Sequence, residues 1–121
     1  YLNRLPSDLI CNWDLMFTED DVQRDSSSAP VAACALLELE KYLDDSDPLK
    51  EIYHNAAVSM MRSLAETYTT KGLHSNGLLQ HGVYCKDKGS GGLGDDECCM
   101  WGDYFYMEAL ARLKKDWNMY W

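Results

Sequence analysis

The pattern of apolar positions predicts two helices that are hydrophobic around their whole circumference. One is expected over residues 25–43, where Pro30 is tolerated only in the first turn and so fixes where the helix starts. The other is expected over residues 101–116, with Asp103 as its N-cap. A surface helix normally carries a single apolar stripe. Both segments are therefore predicted to be inner helices that neighbouring elements enclose.

Residues 47–71, in contrast, have the spacing of an amphipathic outer helix. Asp47 is suited to the N-cap, Pro48 to the first helical position, and Gly72 follows the end. Apolar residues recur at intervals of three and four: Leu49, Ile52, Tyr53, Ala56, Ala57, Met60, Met61, Leu64 and Tyr68. The opposite face is polar, so this helix is expected to expose one side to solvent.

The remaining segments have no sustained hydrophobic period. Residues 1–24 are predicted to form an irregular arm anchored by Trp13 and Phe17. Residues 72–100 are predicted to form a long loop, in which 77–84 has the composition of a short extended segment. The glycines of this loop lack the spacing of a phosphate-binding loop, so no nucleotide cofactor is expected.

The elements follow one another as inner helix, outer helix, long loop and inner helix. Alternating inner and outer helices joined at one end are typical of an α/α toroid, so the fold class is predicted to be all-α. Three helices cannot enclose two that are apolar on every side. Further chain, or a second copy of this protein, is therefore expected to cover the inner helices.

Charge and cysteine content narrow the function classes. The chain has 121 residues, enough for one domain, and its net charge of −9 argues against nucleic acid and anionic membranes as partners. No apolar run approaches the roughly 18 residues of a membrane-spanning helix, and the first residues lack a signal-peptide pattern.

The five cysteines form no Cys-x-x-Cys pair, so no metal site is expected. Their odd number and their spacing favour a reducing compartment, so a cytoplasmic location is predicted, with the oxidising periplasm as the alternative.

Six short motifs carry a family resemblance. They occupy residues 1–6, 12–14, 24–29, 33–39, 77–84 and 101–110. In this order they resemble the C-terminal third of the unsaturated glucuronyl hydrolases, glycoside hydrolase family 88. The combination of Arg-Asp-Ser-Ser with Trp-Gly-Asp-Tyr-Phe is the most specific part of the resemblance.

The resemblance implies part of an (α/α)6 barrel of six helical hairpins. It also implies removal of a 4,5-unsaturated uronic acid from the non-reducing end of oligosaccharides left by polysaccharide lyases. In the family a carboxylic acid protonates the sugar's double bond and water adds beside the ring oxygen, without a metal or other cofactor. The family's catalytic aspartates lie upstream of the matched motifs. No catalytic residue is therefore assigned here, and the chain alone is expected to be inactive.

The resemblance makes four residues candidates for substrate binding: Tyr84, Trp101, His81 and Trp13. Each also has a structural interpretation, such as a core tryptophan that plugs the loop or a histidine that holds it. Lys86 and Lys88 could attract an anionic sugar or simply be solvated. Arg24 could bind the sugar carboxylate, although Asp25 or Glu19 is an easier partner.

Two functions of different classes are compatible with these residues. The first is a segment of a glycoside hydrolase that acts on unsaturated uronic-acid oligosaccharides. The second is a non-catalytic helical module that binds carbohydrate or takes part in assembly.

Overall fold

Three α-helices make up most of the regular structure in the computed structural model, which describes residues 1–86, 94–115 and 117–118. They are α1 (Ser28–Leu39), α2 (Pro48–Ser63) and α3 (Met100–Lys114). Short 3-10 turns lie at Leu2–Arg4 and Glu40–Tyr42, and a π-helical turn over Leu64–Tyr68 continues α2. The described residues form no β-strand, only isolated bridges between extended segments. The predicted all-α class is therefore confirmed.

The central helix is α1, which packs against both α2 and α3. Its buried side chains are mostly small or aliphatic: Ala29, Pro30, Ala33, Cys34, Leu36 and Leu37. Small side chains allow the helices to approach closely, and the Cys34 thiol lies 3.5 Å from the Phe105 carbonyl oxygen. The hydrophobic core lies between the three helices, with Ile10 and Leu79 of the connecting segments packed into it.

Both α1 and α3 also keep an apolar face in solvent. Val31 and Leu39 of α1 are 37% and 51% exposed, and Met107 and Leu110 of α3 are 54% and 44% exposed. Within the described residues, only the faces of α1 and α3 that contact the hydrophobic core are buried. Side chains of this size left uncovered on two neighbouring helices form a surface that another element can bury. No helix in the described ranges is long and apolar enough to cross a membrane.

Capping chemistry determines where α2 begins. The Asp47 carboxylate accepts a hydrogen bond from the Leu49 N–H at 2.9 Å, and Pro48 occupies the first turn. The side chains buried along α2 and the following turn are those of the apolar face: Ala57, Met60, Met61, Leu64 and Tyr68. The second half of the helix therefore packs its apolar side onto α1, whereas Leu49 and Ile52, at the start of the predicted apolar face, are 42% and 50% exposed.

The end of this helix differs from the sequence-based boundary at residue 71. Thr69 has an extended backbone and forms a bridge with Leu79, so the helical turn stops at Tyr68. Gly72 then makes a separate turn with φ of 87°, a conformation that favours glycine. Pairing with the distant loop, which local sequence does not encode, ends the helix early.

The predicted N-cap of α3 is wrong. Cys99 occupies the N-cap position, and Asp103 lies within the first turn of the helix. The Asp103 carboxylate instead accepts hydrogen bonds from the N–H groups of Leu78 and Leu79, at 2.9 and 3.0 Å. Cys99 has an extended backbone, and the helix begins at the next residue, Met100. Asp103 therefore anchors the long loop to α3.

The predicted anchors of the N-terminal arm are also wrong. Ile10 and Asn12 are almost fully buried, whereas Trp13 is 37% exposed. Trp13 and Phe17 pack against each other, with ring centroids 5.7 Å apart. Aromatic content alone could not identify the anchors, because burial in an irregular arm depends on where the rest of the chain lies.

Arg24 forms ion pairs with two acidic side chains of the N-terminal arm, one 16 residues away and one four residues away. Its guanidinium donates to the Asp8 carboxylate at 3.1 Å and to the Asp20 carboxylate at 3.2 Å. The carboxylates suggested by sequence proximity, Asp25 and Glu19, are not its ion-pair partners. Arg24 thus has the structural ion pairs that were expected as the alternative to sugar binding, but its partners are Asp8 and Asp20.

A buried ion cluster joins α3 to α1. Arg112 lies 2.6 Å from the Glu38 carboxylate and 2.8 Å from that of Glu108. The side chains of Arg112 and Glu108 are only 6% and 3% exposed. Hydrogen bonds from Arg112 and then Lys41 lower the pKa of Glu38 to about 2. A buried charge of this kind is tolerated only while it is paired.

Candidate functional site

The N-terminal end of α3 and the long loop form a cleft with two aromatic rings at its edge. Trp101 and Tyr84 lie edge to face, with centroids 6.2 Å apart and planes at 81°. Trp101 is 42% exposed and Tyr84 is 63% exposed. The cleft has a volume of about 430 Å3, and its lining includes Cys98, Cys99 and Met100. Two of the sequence-derived candidates are thus brought together.

A short chain of hydrogen bonds fixes Trp101. Its indole N–H donates to the Ser27 hydroxyl oxygen at 2.9 Å. The Ser27 hydroxyl in turn donates to the Asp25 carboxylate at 2.7 Å, and the same carboxylate oxygen accepts the Val83 N–H at 3.0 Å. The indole is therefore tied to the start of α1, while part of its ring stays in solvent.

The position of Tyr84 depends on Gly94. The Tyr84 N–H donates to the Gly94 carbonyl oxygen at 2.8 Å. Gly94 has φ of 88°, a conformation that L side chains rarely adopt, and a Cβ on this residue would overlap the Tyr84 ring. Glycine at this position lets the phenol ring lie directly against the backbone at the edge of the cleft.

His81 lies beside the same loop but is already paired. Its Nδ1 atom is 2.7 Å from the Asp96 carboxylate, and its ring meets that of Tyr68 edge-on at 6.0 Å. Its backbone has φ of 66°, unusual for a residue other than glycine, and its carbonyl oxygen accepts the Ser26 N–H at 3.0 Å. These contacts hold the loop against the start of α1, which is the structural interpretation of this histidine.

Trp13 lies where the arm meets the loop, and Lys86 connects the two segments. The Lys86 ammonium is 6.0 Å from the centre of the Trp13 ring, within reach of a cation–π interaction. Lys86 also donates to the Gln23 side chain and lies 3.6 Å from the Asp95 carboxylate. The other candidate lysine, Lys88, falls outside the described residues.

The buried thiol of the cleft is held in its protonated form. Burial, with the nearby Asp25 charge, raises the pKa of Cys99, and a thiol is a nucleophile only as thiolate. All five cysteines are free, Cys98 being exposed and Cys99 buried. Within the described ranges, no group of three or more histidine, cysteine or acidic side chains could hold a metal ion. The described lining of the cleft thus combines two partly exposed aromatic rings with a buried, protonated thiol.

Asp25 and Ser27 are the residues that sequence reasoning missed as members of the site. Both lie in the Arg-Asp-Ser-Ser motif, which was open to a simpler interpretation as helix-capping chemistry. Ser27 occupies the N-cap position of α1 but makes no capping bond, because its hydroxyl is taken by Asp25 and Trp101. The Arg-Asp-Ser-Ser motif was the one sequence feature that could have pointed to these two residues. Its contact with Trp101 on α3 is apparent only in the folded structure.

Known proteins align with the whole chain, although no protein-family model matches it. It is 47% identical over 123 residues to the unsaturated chondroitin disaccharide hydrolase of Streptococcus agalactiae, covering 100% of this chain and 30% of that protein. It is 34% identical to the unsaturated glucuronyl hydrolase of Bacillus sp. strain GL1, covering 100% of this chain and 32% of that one. The chain therefore spans about a third of the length of the curated relatives it matches.

Solved structures of the same enzymes share its fold. A crystal structure of an unsaturated glucuronyl hydrolase variant from Streptococcus agalactiae superposes with a TM-score of 0.87 at 45% identity, over 99% of this chain and 34% of that one. The enzyme from Bacillus sp. GL1 gives 0.81 at 36% identity, over 94% and 30%. The three helices thus match part of the α/α toroid of these enzymes. In both sequence and fold, the chain is a relative of the unsaturated glucuronyl hydrolases that corresponds to about a third of their length.

Proposed function

We propose that this chain forms one rim of the sugar-binding site of an unsaturated uronyl hydrolase. The reaction would remove a 4,5-unsaturated uronic acid from lyase-generated oligosaccharides by hydrating its double bond. The observation that carries the proposal is the half-exposed Trp101–Tyr84 pair at the cleft, in a chain whose whole length aligns with about a third of such hydrolases. Exposed aromatic faces suit the apolar faces of sugar rings.

The comparisons support an oligosaccharide as the substrate class. One matching structure is a Streptococcus agalactiae unsaturated glucuronyl hydrolase variant complexed with dGlcA-GalNAc6S. Another is described as an unsaturated glucuronyl hydrolase specific for heparin. For this chain we propose an unsaturated uronic-acid disaccharide as the ligand, bound by Trp101 and Tyr84, with His81 and Trp13 as further contacts. The proton donor is proposed to come from outside these residues.

Sugar binding can be tested on the 121-residue chain itself. We would titrate isotope-labelled protein with an unsaturated chondroitin disaccharide and follow the indole and backbone N–H signals by NMR. The Trp101 indole and the Tyr84 backbone signals should shift and saturate. Trp101→Ala should weaken binding, read at Tyr84, by at least about tenfold. Tyr42→Ala, which truncates a 74% exposed aromatic beyond the far end of α1, should leave the affinity unchanged.

The outcomes of this titration separate binding by the cleft from its alternatives. Saturable shifts that depend on Trp101 support the proposal. Saturable shifts that survive Trp101→Ala place the sugar elsewhere and contradict it. An absence of shifts contradicts sugar binding by this rim.

Catalysis is tested with a chimera. The segment of the Streptococcus agalactiae relative that aligns with this chain would be replaced by this chain, and loss of the ultraviolet absorbance of an unsaturated disaccharide would be followed. Turnover is expected, and the relative without the segment is the matched control. A folded chimera that binds the disaccharide without turnover would favour the alternative, a non-catalytic carbohydrate-binding module.

Self-association is a separate proposal. It rests on the uncovered apolar side chains of α1 and α3, which a second copy of the chain could bury.

A further inference from the structure

Three hydrogen bonds converge on a single oxygen, Oδ1 of Asp25. The donors are the Ser27 backbone N–H at 3.0 Å, the Ser27 hydroxyl at 2.7 Å and the Val83 N–H at 3.0 Å. An ionised carboxylate only accepts hydrogen bonds, and bonds to a charged acceptor are about twice as strong as neutral ones. This oxygen therefore sets the position of two different segments at once.

The direction of the hydrogen bonds from Trp101 follows from the chemistry of its donors. An indole N–H can donate but not accept, so the Ser27 oxygen must accept from Trp101. The Ser27 hydroxyl proton then goes to Asp25, because an ionised carboxylate is a stronger acceptor than the neighbouring Cys99 sulfur. The bonds therefore run from Trp101 through Ser27 to Asp25.

The two segments held by Asp25 carry the two rings of the cleft. Ser27 fixes Trp101, and Val83 directly precedes Tyr84 in the loop. A close approach of α3 to Ser27 makes this geometry available, since a Cβ on Gly102 would lie 3.1 Å from that of Ser27. One buried serine, 3% exposed, and one carboxylate thus tie together the two segments that carry these half-exposed rings, while Gly94 provides the space for the Tyr84 ring.

Resting on the proposed function, we infer that Asp25 and Ser27 are positioning residues for sugar binding. They touch no substrate. They hold the Trp101 indole and the Tyr84 loop in a fixed relative orientation, so that the aromatic surface of the cleft is preorganised. Because these rings are already ordered, less conformational entropy is lost when a sugar binds.

The first test needs no sugar. In the wild-type chain the Trp101 indole N–H, assigned by its absence in Trp101→Phe, should exchange slowly with deuterated solvent. Ser27→Ala and Asp25→Asn should each raise its exchange rate by about tenfold or more. The first variant removes the hydroxyl that accepts the indole N–H, and the second removes the charged carboxylate that accepts the Ser27 hydroxyl. Ser59→Ala, a serine exposed on α2, is the matched control and should change nothing. Equal exchange in wild type and Ser27→Ala would overturn the inference.

The second test asks whether Ser27 acts on binding through the indole. Disaccharide affinity would be measured for wild type, Ser27→Ala, Trp101→Phe and the double variant. Loss of the hydroxyl should weaken binding by about fivefold when Trp101 is present and by less than about twofold in the Trp101→Phe background. Thermal denaturation of all four variants reports any shared loss of stability.

Additive losses in this cycle would assign Ser27 a purely structural role and overturn the inference. If the wild-type chain binds no disaccharide while the indole exchange responds as expected, the proposed function fails and the positioning of the ring stands. The two failures are thus distinguishable.

Discussion

Single carboxylates connect distant segments in this protein. Asp103 lies on α3 and binds two loop N–H groups, while Asp25 precedes α1 and binds the next part of the same loop. Both occur where local sequence suggests simple helix capping. Each instead stabilises a loop of little regular structure by giving its backbone donors a charged acceptor.

Removing the Asp103 carboxylate should destabilise the fold. In Asp103→Ala the N–H groups of Leu78 and Leu79 lose their acceptor, at a cost of about 2 kcal/mol in the free energy of unfolding. Urea denaturation would measure this loss. Asp21→Ala removes an exposed carboxylate of the arm and should change stability by less than about 0.5 kcal/mol. Equal stabilities for the two variants would show that Asp103 does not anchor the loop.

Residue identity alone pointed to two of the aromatic residues that line the cleft and gave no sign of the serine that holds one of them. Trp101 and Tyr84 could be named as candidates because each is an aromatic residue within a motif that carries the family resemblance, at 101–110 and 77–84. Ser27 was not recognisable, because its role depends on an indole that is 74 positions away in the chain. Nothing in the local pattern distinguishes a serine that caps its own helix from one that serves another helix.

At the scale of elements, the α1–α3 contact combines small apolar side chains with one buried ion cluster. Arg112 pairs with both Glu38 and Glu108, so two helices share one charge network. Helix periodicity predicted that these two helices would pack as inner elements, since it records apolar positions. It did not predict the ion cluster, because Glu38 and Arg112 each read as ordinary surface charges in sequence.

Stability should fall at acid pH through Glu38. Hydrogen bonds from Arg112 and Lys41 lower its folded-state pKa to about 2, below the ordinary value of 4.5. The unfolded chain therefore takes up this proton first as the pH falls. The contribution of Glu38 is complete above about pH 5 and is lost progressively as the pH approaches about 2.

Urea denaturation across this pH range, from about pH 7 to about pH 3, would measure the effect. Glu38→Gln should flatten the acid limb of the stability curve, whereas Glu66→Gln, an exposed acid of the π-helical turn, should leave it unchanged. An acid limb of the same steepness in Glu38→Gln and wild type would contradict this assignment.

The whole molecule carries an apolar surface on α1 and α3 that its described residues leave open. Val31, Leu39, Met107 and Leu110 are all more than a third exposed. The relatives with the same fold are about three times longer than the matched segment. We propose that a second copy of the chain buries this apolar surface.

Self-association should depend on this surface. Light scattering coupled to size exclusion should show the chain forming dimers or larger species that dissociate on dilution. Met107→Glu, at a position 54% exposed on α3, should shift the population to monomer by at least about tenfold in dissociation constant. Leu73→Glu, 57% exposed after α2, is the matched control. A monomer at all concentrations would show that the exposed faces do not drive association of this chain.

The sequence by itself determined the helical class, the approximate helix positions and the aromatic candidates, because these depend on periodicity, capping chemistry and residue type. Only the tertiary structure decided which side chains meet: Asp103 with the loop, Arg24 with Asp8, and Trp101 with Ser27. These contacts join residues far apart in the chain, and their partners are set by how the helices pack. The cleft at the start of α3 therefore forms only when the helices pack. The residue types that line it can be read from the sequence, but their contacts cannot.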